Sequence, residues 1–470
     1  MKKSFLFLLV IGLAGIAAGS SLFAQGSIPG PHQKSTLANG WQFVGTGGFS
    51  NGGIWDISLA FYPSGQPYVA FNDQGTLALH VMKFDGSAWA DAGQISSSVI
   101  GAWVSLGIDA AGTPSLGFQH YNGMLIDKAS VMHYNGTSWE FTGSSLFSAG
   151  NAYHTSLALN SGGTPYIVYQ DAAYNNHGTA MKFDGSGWVN VGNPGFTSSF
   201  ARNPVISISP SDIPYVAFGS IFGGNLGKAT VMKFNGTGWE LVGEEGFSAG
   251  IMDSISLAFD QEGKPWVAYS DGANSWKASV MRFDGNSWVN VGSPAFSAGA
   301  AGWTSIGFSQ SGQAVVAFQD AANGYKASVM IYQNPEWIYL GTPGFTPDSS
   351  SVTALKFSPS GQPYVAFADW GNSGKASLMM YDGPLGVNGI QKPGLSIYPD
   401  PARDFLTIDP GTSGNNMNRL EIYNILGSQV MTLDLSGGTA HLNVESLPPG
   451  IYFVKAYGAR ASCTGRFTKK

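Results

Sequence analysis

This 470-residue chain contains an internal repeat, and one position of the repeat carries a different type of side chain in most of its units. When the units are aligned on the last apolar residue of a recurring strand, the position five residues earlier holds Asp56, Trp103, His154, Asn203, Ser254, Trp303 and Val352. Aromatic rings stack on the C–H faces of sugars, while amide, carboxylate and guanidinium groups fix orientation by hydrogen bonding. The pattern favours a glycan or peptide ligand bound by Trp55, Asp56, Trp103, Tyr153, His154, Arg202, Asn203, Asp253 and Trp303. The alternative is that these positions vary by neutral drift, because the loops that carry them are unconstrained.

Two of these residues are carboxylates and raise the question of catalysis. Glycoside hydrolysis needs two carboxyl groups within roughly 5–9.5 Å, whereas Asp56 and Asp253 fall on the first and fifth units, across the predicted ring. The sequence contains no H-E-x-x-H, G-x-S-x-G, phosphate-loop, dinucleotide or calcium-loop motif. We therefore expect a binding module without metal or cofactor. The alternatives are a glycoside-processing enzyme and a structural surface protein with no small ligand.

A second recurring feature combines an aspartate after the second strand of a unit with a lysine before the third. The complete pairs are Asp271 and Lys277, Asp320 and Lys326, and Asp369 and Lys375. One interpretation is a ring of ligand sites, one in each unit. Because the pairs recur in register, the pattern favours a hairpin ion pair or a turn cap instead.

The elements that position these residues follow from the repeat, in which a tryptophan recurs at seven positions with spacings of 48–51 residues. The unit from Ser254 to Gly292 contains four strand-like runs, separated by G-x-P turns and by Asp-Gly or Asn-Gly turns. Such dipeptides form tight hairpins because both residues tolerate positive φ. We expect the recurrent tryptophans, and the methionines of the third strand, to form the core between units. In the sixth unit Asn334-Pro335 replaces the usual turn, so that hairpin must be built differently.

Seven four-stranded units predict an all-β, seven-bladed β-propeller spanning residues 41–383. The chain begins with a lone fourth strand at Trp41–Val44 and ends, at Tyr381, with a third strand lacking its fourth. We expect the N-terminal strand to complete the last blade, because closure removes two exposed sheet edges. A linear stack of hairpins would leave those halves unpaired.

The chain termini and composition point to export. Residues 1–24 read as a signal peptide, with Lys2 and Lys3 before an apolar run, followed by a leader segment at 25–40. An uncleaved membrane anchor is the alternative, but we expect no membrane span after signal removal. The net charge of −6 provides no basic patch for nucleic acid. Cys463 is the only cysteine, so no disulfide framework is expected.

The segment after a linker at 384–394 carries a different set of motifs. They are Tyr398-Pro399-x-Pro401, Tyr423-Asn424 with Gly427, Leu447 with Gly450-Ile451-Tyr452, and a basic end at Arg466–Lys470. In this order they resemble the type A C-terminal sorting domain of the type IX secretion system of Bacteroidetes, although Asp400 stands where that family commonly has asparagine.

The resemblance covers residues 395–470 and implies a small β-sandwich recognised by the secretion machinery. It also implies a secreted or outer-membrane, cell-surface protein. In that family the domain is often removed at the surface, where the passenger is attached to lipopolysaccharide or released.

Overall fold

The computed structural model describes residues 40–122, 127–222, 225–383, 385, 396–409, 417–425, 427–434, 439–458 and 462–470. The predicted signal peptide and residues 25–39 of the leader lie outside the described residues, as does all of the predicted linker except residue 385. The boundaries of these segments stay predictions.

The propeller consists of seven four-stranded antiparallel blades built from strands β1 to β28. Blade one is β2 (Ile54–Phe61), β3 (Pro67–Asp73), β4 (Leu79–Phe84) and β5 (Trp89–Asp91). Blade two is β6 (Ile100–Ile108), β7 (Pro114–Tyr121), β8 (Asp127–Tyr134) and β9 (Trp139–Phe141). Blade three is β10 (Ala152–Leu159), β11 (Pro165–Asp171), β12 (His177–Phe183) and β13 (Trp188–Asn190). Blade four is β14 (Phe200–Ile208), β15 (Pro214–Phe222), β16 (Asn225–Phe234) and β17 (Trp239–Leu241).

The remaining blades follow the same order. Blade five is β18 (Met252–Phe259), β19 (Pro265–Asp271), β20 (Lys277–Phe283) and β21 (Trp288–Asn290). Blade six is β22 (Ala301–Phe308), β23 (Ala314–Asp320), β24 (Lys326–Gln333) and β25 (Glu336–Tyr339). Blade seven is β26 (Ser350–Phe357), β27 (Pro363–Asp369) and β28 (Lys375–Tyr381), completed by β1 (Trp41–Phe43). Short 3-10 helices lie at Ala172–Tyr174, Gly272–Asn274, Ala321–Asn323 and Trp370–Asn372.

The N-terminal strand closes the ring as predicted. Trp41 pairs with Tyr381 across β1 and β28, and its indole N–H donates to the carbonyl of Leu340 in blade six over 2.8 Å. The same ring stacks on Phe345, with 4.2 Å between centroids. Strand β1, at the start of the propeller, therefore contacts the last two blades of the propeller, six and seven.

The recurrent tryptophans bind each blade to the one before it. Their indole N–H groups donate to backbone carbonyls of the preceding blade over 2.6–2.9 Å, from Trp89, Trp139, Trp188, Trp239, Trp288 and Trp337. Of the third-strand methionines, Met132, Met181, Met232, Met281 and Met330 are buried. These contacts confirm the predicted core between blades. In blade six, Asn334 and Pro335 form the two-residue turn between β24 and β25.

The C-terminal domain is a small β-sandwich of two sheets. One contains β29 (Ser396–Tyr398), β30 (Phe405–Asp409) and β33 (Ala440–Asn443). The other contains β31 (Met417–Asn424), β32 (Gln429–Asp434), β34 (Gly450–Gly458) and β35 (Ser462–Lys469). Leu406 and Leu442 of the first sheet share one core with Leu420, Val454 and Phe467 of the second. The predicted sandwich is thus confirmed.

Candidate ligand-binding site at the channel mouth

The predicted binding residues lie where the first strand of each blade begins, around one mouth of the central channel. The pairing register of that strand shifts in all seven blades. At this shift the backbone has positive φ, between 48° and 54°, at Trp103, His154, Asn203, Ser254, Trp303 and Val352. Such φ values are uncommon outside glycine, and a bulge of this kind changes the direction of a side chain. The aligned position is therefore the bulge residue in six blades, and Asp56 occupies its equivalent in the first.

Hydrogen bonds between neighbouring blades hold the bulges in place. The hydroxyl of Thr155 donates to the carbonyl of Trp103 over 2.8 Å, and that of Thr353 donates to the carbonyl of Trp303 over 2.5 Å. Thr304 makes the equivalent bond to Ser254. The residue after each of these bulges thus fixes the carbonyl of the bulge in the preceding blade, and the mouth has a defined shape.

The rings of Trp103 and His154, in blades two and three, form an aromatic pair. Their centroids lie 4.0 Å apart, with the ring planes inclined by 43°. Burial, and then the positive charge of Arg202, lower the pKa of His154 to about 4. The imidazole is therefore neutral at neutral pH, and its Nδ1 is buried without a hydrogen-bond partner. A buried polar atom that lacks a partner is unusual and calls for a ligand, a water or a role in function.

Three polar side chains converge between blades four and five. The guanidinium of Arg202 lies 3.3 Å from the carboxylate of Asp253, and the amide nitrogen of Asn203 donates to the same oxygen over 3.2 Å. The side chains of Arg202 and Asp253 are 36% and 44% exposed, so this ion pair contributes only about 0–1 kcal/mol to stability. The cluster is open to a ligand that can share its donors and acceptors.

Asp56 connects the first blade to the second. One carboxylate oxygen accepts from the backbone N–H of Trp103 over 2.7 Å. Burial among the protein atoms of the channel raises the pKa of Asp56 to about 6, against the smaller lowering effect of that hydrogen bond. Asp56 and Asp253 thus bond to different partners, in blades two and four respectively.

The other predicted residues flank these clusters. Trp55 is 54% exposed and Trp303 is 40% exposed. The indole N–H of Trp55 donates to the carbonyl of Gln74 over 3.3 Å, and the hydroxyl of Tyr153 accepts from the amide of Asn151 over 3.3 Å. Two tryptophan faces are therefore available to solvent beside the polar groups.

Sequence reasoning missed an inner set of amides at the end of the second strand. Asn72 accepts from the backbone N–H of Asp56 over 2.9 Å and donates to the carbonyl of Gly101 over 3.0 Å. Gln119 is buried, and its side-chain oxygen lacks a partner. Gln319 donates to the carbonyl of Ser350 in blade seven. The recurring segments FND, FQH, YQD and FQD are the signal that could have identified these residues.

Three of the recurrent aspartates after the second strand are turn caps: Asp171, Asp271 and Asp320. Asp369 makes no such bond to the backbone and accepts from the side chains of Asn372 and Ser377 instead. Asp320 accepts from the backbone N–H of Ala322 over 3.1 Å, from the amide of Asn323 over 2.8 Å and from the hydroxyl of Ser328 over 2.8 Å. Asp271 makes the equivalent set. The ion pairs found among the described residues join other side chains. The hairpin ion pair is therefore wrong, and the turn cap is confirmed at Asp271 and Asp320.

Within the ranges given above, no cluster of three or more histidine, cysteine, aspartate or glutamate side chains could hold a metal ion. No helix in the same part of the chain is long and apolar enough to cross a membrane.

The C-terminal domain is similar to a known family of domains. Residues 396–470 match the family model described as "Secretion system C-terminal sorting domain". This segment is a type IX sorting domain. The sorting domain marks the chain as a protein exported to the cell surface or the extracellular space. The predicted resemblance and the predicted localisation are both confirmed.

Solved structures with similar folds carry different activities. A polysaccharide lyase of family PL25, an ulvan lyase, is 13% identical, with a TM-score of 0.48 over 72% of this chain and 95% of that one. The lectin of Aleuria aurantia is 18% identical, with a TM-score of 0.42 over 60% and 97%. An α-L-arabinanase of Penicillium chrysogenum is 13% identical, with a TM-score of 0.37 over 70% and 93%. No curated protein matches the chain significantly.

Proposed function

We propose that the propeller ahead of the sorting domain is an exported binding module whose channel mouth recognises a glycan. Two groups of interactions at the mouth carry the proposal: Asp56 bonds to Trp103, whose ring packs on His154, and Arg202 pairs with Asp253. The charge of Arg202 acts on His154 and lowers its pKa. Together these groups combine aromatic faces with planar hydrogen-bonding groups, which is the combination that sugar recognition needs.

Two features of the mouth support a ligand with hydroxyl groups. The neutral imidazole of His154 leaves Nδ1 buried without a partner, and a sugar hydroxyl could supply one. Trp55 and Trp303 present exposed ring faces on which the C–H face of a pyranose could stack. A peptide could use the same groups, so a protein ligand is the next candidate for this site.

A glycan-array screen of the exported chain tests the proposal, with the double variant Trp103→Ala/Trp303→Ala on a parallel array. We expect binding to a limited set of glycans that the double variant loses. Equal glycan binding by wild type and the double variant would show that the glycan binds away from Trp103 and Trp303. A blank array from folded wild-type protein would favour a protein ligand or a structural role, and pull-down of surface proteins would then separate those two.

Glycoside processing is the second candidate, and one observation favours it. A carboxyl group with a pKa near 6, as at Asp56, suits a general acid. Against it, Asp253 already pairs with Arg202 and Asn203, and hydrolysis requires a second carboxylate at close range.

The test of the enzyme alternative is incubation of any array hit with wild type, Asp56→Asn and Asp253→Asn. Product release by wild type alone would support an enzyme that uses both carboxylates. Binding without turnover in all three proteins would leave the module non-catalytic.

A further inference from the structure

The part of the channel mouth that blades one to three form is rich in hydrogen-bond acceptors. The carboxylate of Asp56 is half-buried, and one of its oxygens accepts from the backbone N–H of Trp103 over 2.7 Å. No second hydrogen bond to this carboxylate occurs within the described part of the chain. A carboxylate has two oxygens that accept hydrogen bonds. Asp56 therefore offers acceptor capacity that the protein itself leaves unused.

Two more polar atoms on the neighbouring blades are buried and lack a partner. They are Nδ1 of His154 in blade three and the side-chain oxygen of Gln119 in blade two. A neutral imidazole offers one ring nitrogen as an acceptor, and the oxygen of a glutamine amide only accepts. Because buried polar atoms are normally satisfied, these two indicate a ligand or water that donates hydrogen bonds.

Negative charge also predominates on this side of the mouth. Tyr121 pairs with Asp127 across β7 and β8. Burial, and then the negative charges of Asp127 and Asp56, raise the pKa of Tyr121 to about 12. Both carboxylates thus lie within electrostatic range of one side chain.

The cations at this end of the propeller already have partners. The ammonium of Lys128, which follows Asp127 in the chain, donates to the carbonyls of Ser148 and Ala149 over 2.8 Å and 3.2 Å. The guanidinium of Arg202, in blade four, pairs with Asp253 over 3.3 Å. Neither cation is paired with Asp56, so a positively charged ligand would meet an uncompensated carboxylate there.

Trp103 places an aromatic ring beside this carboxylate. Its backbone N–H bonds to Asp56, and its ring centroid lies 4.0 Å from that of His154. An ammonium group is attracted to the face of a tryptophan within about 6 Å of the ring centroid. A carboxylate next to an indole ring therefore suits a ligand that carries an ammonium group.

We propose that the glycan bound at this mouth contains an amino sugar with a free, protonated amine. The ammonium pairs with Asp56 beside the ring of Trp103, and a hydroxyl of the same ligand donates to Nδ1 of His154. This inference rests on the proposed glycan-binding function and specifies the class of sugar that the site selects.

Calorimetric titration of the exported chain with two matched trisaccharides tests the inference. One is the β-1,4-linked trisaccharide of glucosamine, and the other is its fully N-acetylated form, which has no ammonium group. The titrations are run at pH 6.5, where Asp56, with a pKa of about 6, is mostly ionised. We expect wild type to bind the free amine at least tenfold more tightly than the acetylated form.

Two charge-removing variants locate the effect. Asp56→Asn keeps an oxygen that accepts from Trp103 and removes the charge, so it should bind the free amine at least tenfold more weakly. Its affinity for the acetylated form should change less than threefold. Asp212→Asn removes the same charge from the turn between β14 and β15, at the other end of the blades, and should change both affinities less than twofold.

Three results would overturn the inference. They are no saturable binding of the free amine to folded wild type, equal or tighter binding of the acetylated form, and an unchanged affinity of Asp56→Asn for the free amine. The second comparison uses wild type alone and decides the question even if a variant fails to fold. Glycan binding that Trp103→Ala/Trp303→Ala loses, without a preference for the free amine, would leave the proposed glycan function standing and overturn the amino-sugar class alone.

Discussion

At the channel mouth, burial shifts the pKa values of two side chains, one in blade one and one in blade three, in opposite directions. The pKa of Asp56 is raised to about 6 from an ordinary value of 3.8, and the pKa of His154 is lowered to about 4 from 6.5. In both cases the surrounding protein disfavours the charged form. The folded state therefore binds more protons than the unfolded state at Asp56 between pH 4 and 6, and fewer at His154 between pH 4 and 6.5. As pH rises through this range, the contribution of Asp56 to the free energy of unfolding decreases, whereas the contribution of His154 increases.

Two single variants should separate these contributions. Relative to wild type, the free energy of unfolding of Asp56→Asn should rise between pH 4 and pH 6, by at most about 3 kcal/mol. Relative to wild type, the free energy of unfolding of His154→Gln should fall between pH 4 and pH 6.5, also by at most about 3 kcal/mol. The variant lacks the histidine whose contribution to folding grows as pH rises. Urea unfolding at pH 4.0, 5.0 and 6.5 measures both. Curves parallel to wild type would contradict the assigned pKa values.

The bulge explains why the site residues could be predicted only in part. Alignment of the repeat identified the variable position, but nothing in Trp103, Trp303 or Val352 encodes positive φ, since glycine and asparagine are the residues that favour it. The bulge follows from contacts between blades such as Thr155 to Trp103. The pairing of Arg202 with Asp253 also depends on the spacing of two blades, which no local pattern specifies.

At the scale of elements, the fourth-strand tryptophans are the repeated contact between blades. Trp188→Phe keeps most of the ring but removes the indole N–H that donates to Thr142 over 2.7 Å. The variant should be destabilised by about 1–3 kcal/mol, because the carbonyl loses its partner in a largely buried place. Trp276→Phe, at a ring that is 43% exposed, is the control and should stay within about 0.5 kcal/mol. Equal denaturant midpoints for both variants would argue against this role.

The blades themselves were predictable because each strand and turn has its own local signal. The tryptophan period, the G-x-P turns and the Asp-Gly turns specify four strands in each unit. The function of Asp320 and its equivalents was less accessible. An aspartate and a lysine six residues apart in a hairpin suit an ion pair, but the carboxylate turns inward to the donors of its own loop and of Ser328.

At the scale of the whole molecule, β1 decides whether the ring closes. A chain that starts at residue 45 lacks β1 and leaves β28 with an open edge, whereas a chain that starts at residue 40 keeps it. The shorter chain should unfold at a lower temperature and associate through the exposed edge. Differential scanning calorimetry with size-exclusion chromatography compares the two. Identical melting temperatures and monomeric behaviour would show that closure by β1 is dispensable.

The closure of the ring was the most predictable feature. The sequence shows a lone fourth strand that begins at Trp41 and a last unit that ends at Tyr381 without its fourth strand, and the two pair in the structure. The C-terminal motifs likewise identified the sorting domain. The proposed glycan site was less predictable, because the channel mouth on which it is placed is assembled from seven segments that are distant in the sequence.

The most direct test of the proposed glycan site is a calorimetric titration of the best array glycan into three single variants. Trp103→Ala and Trp303→Ala remove rings at the channel mouth, and Trp276→Ala removes a ring of similar exposure to Trp303, 43% against 40%, from a loop in blade five. We predict at least a tenfold loss of affinity for the first two variants and less than a twofold change for the third. Unchanged affinity in the first two variants, or an equal loss in all three, would contradict the assignment of the site.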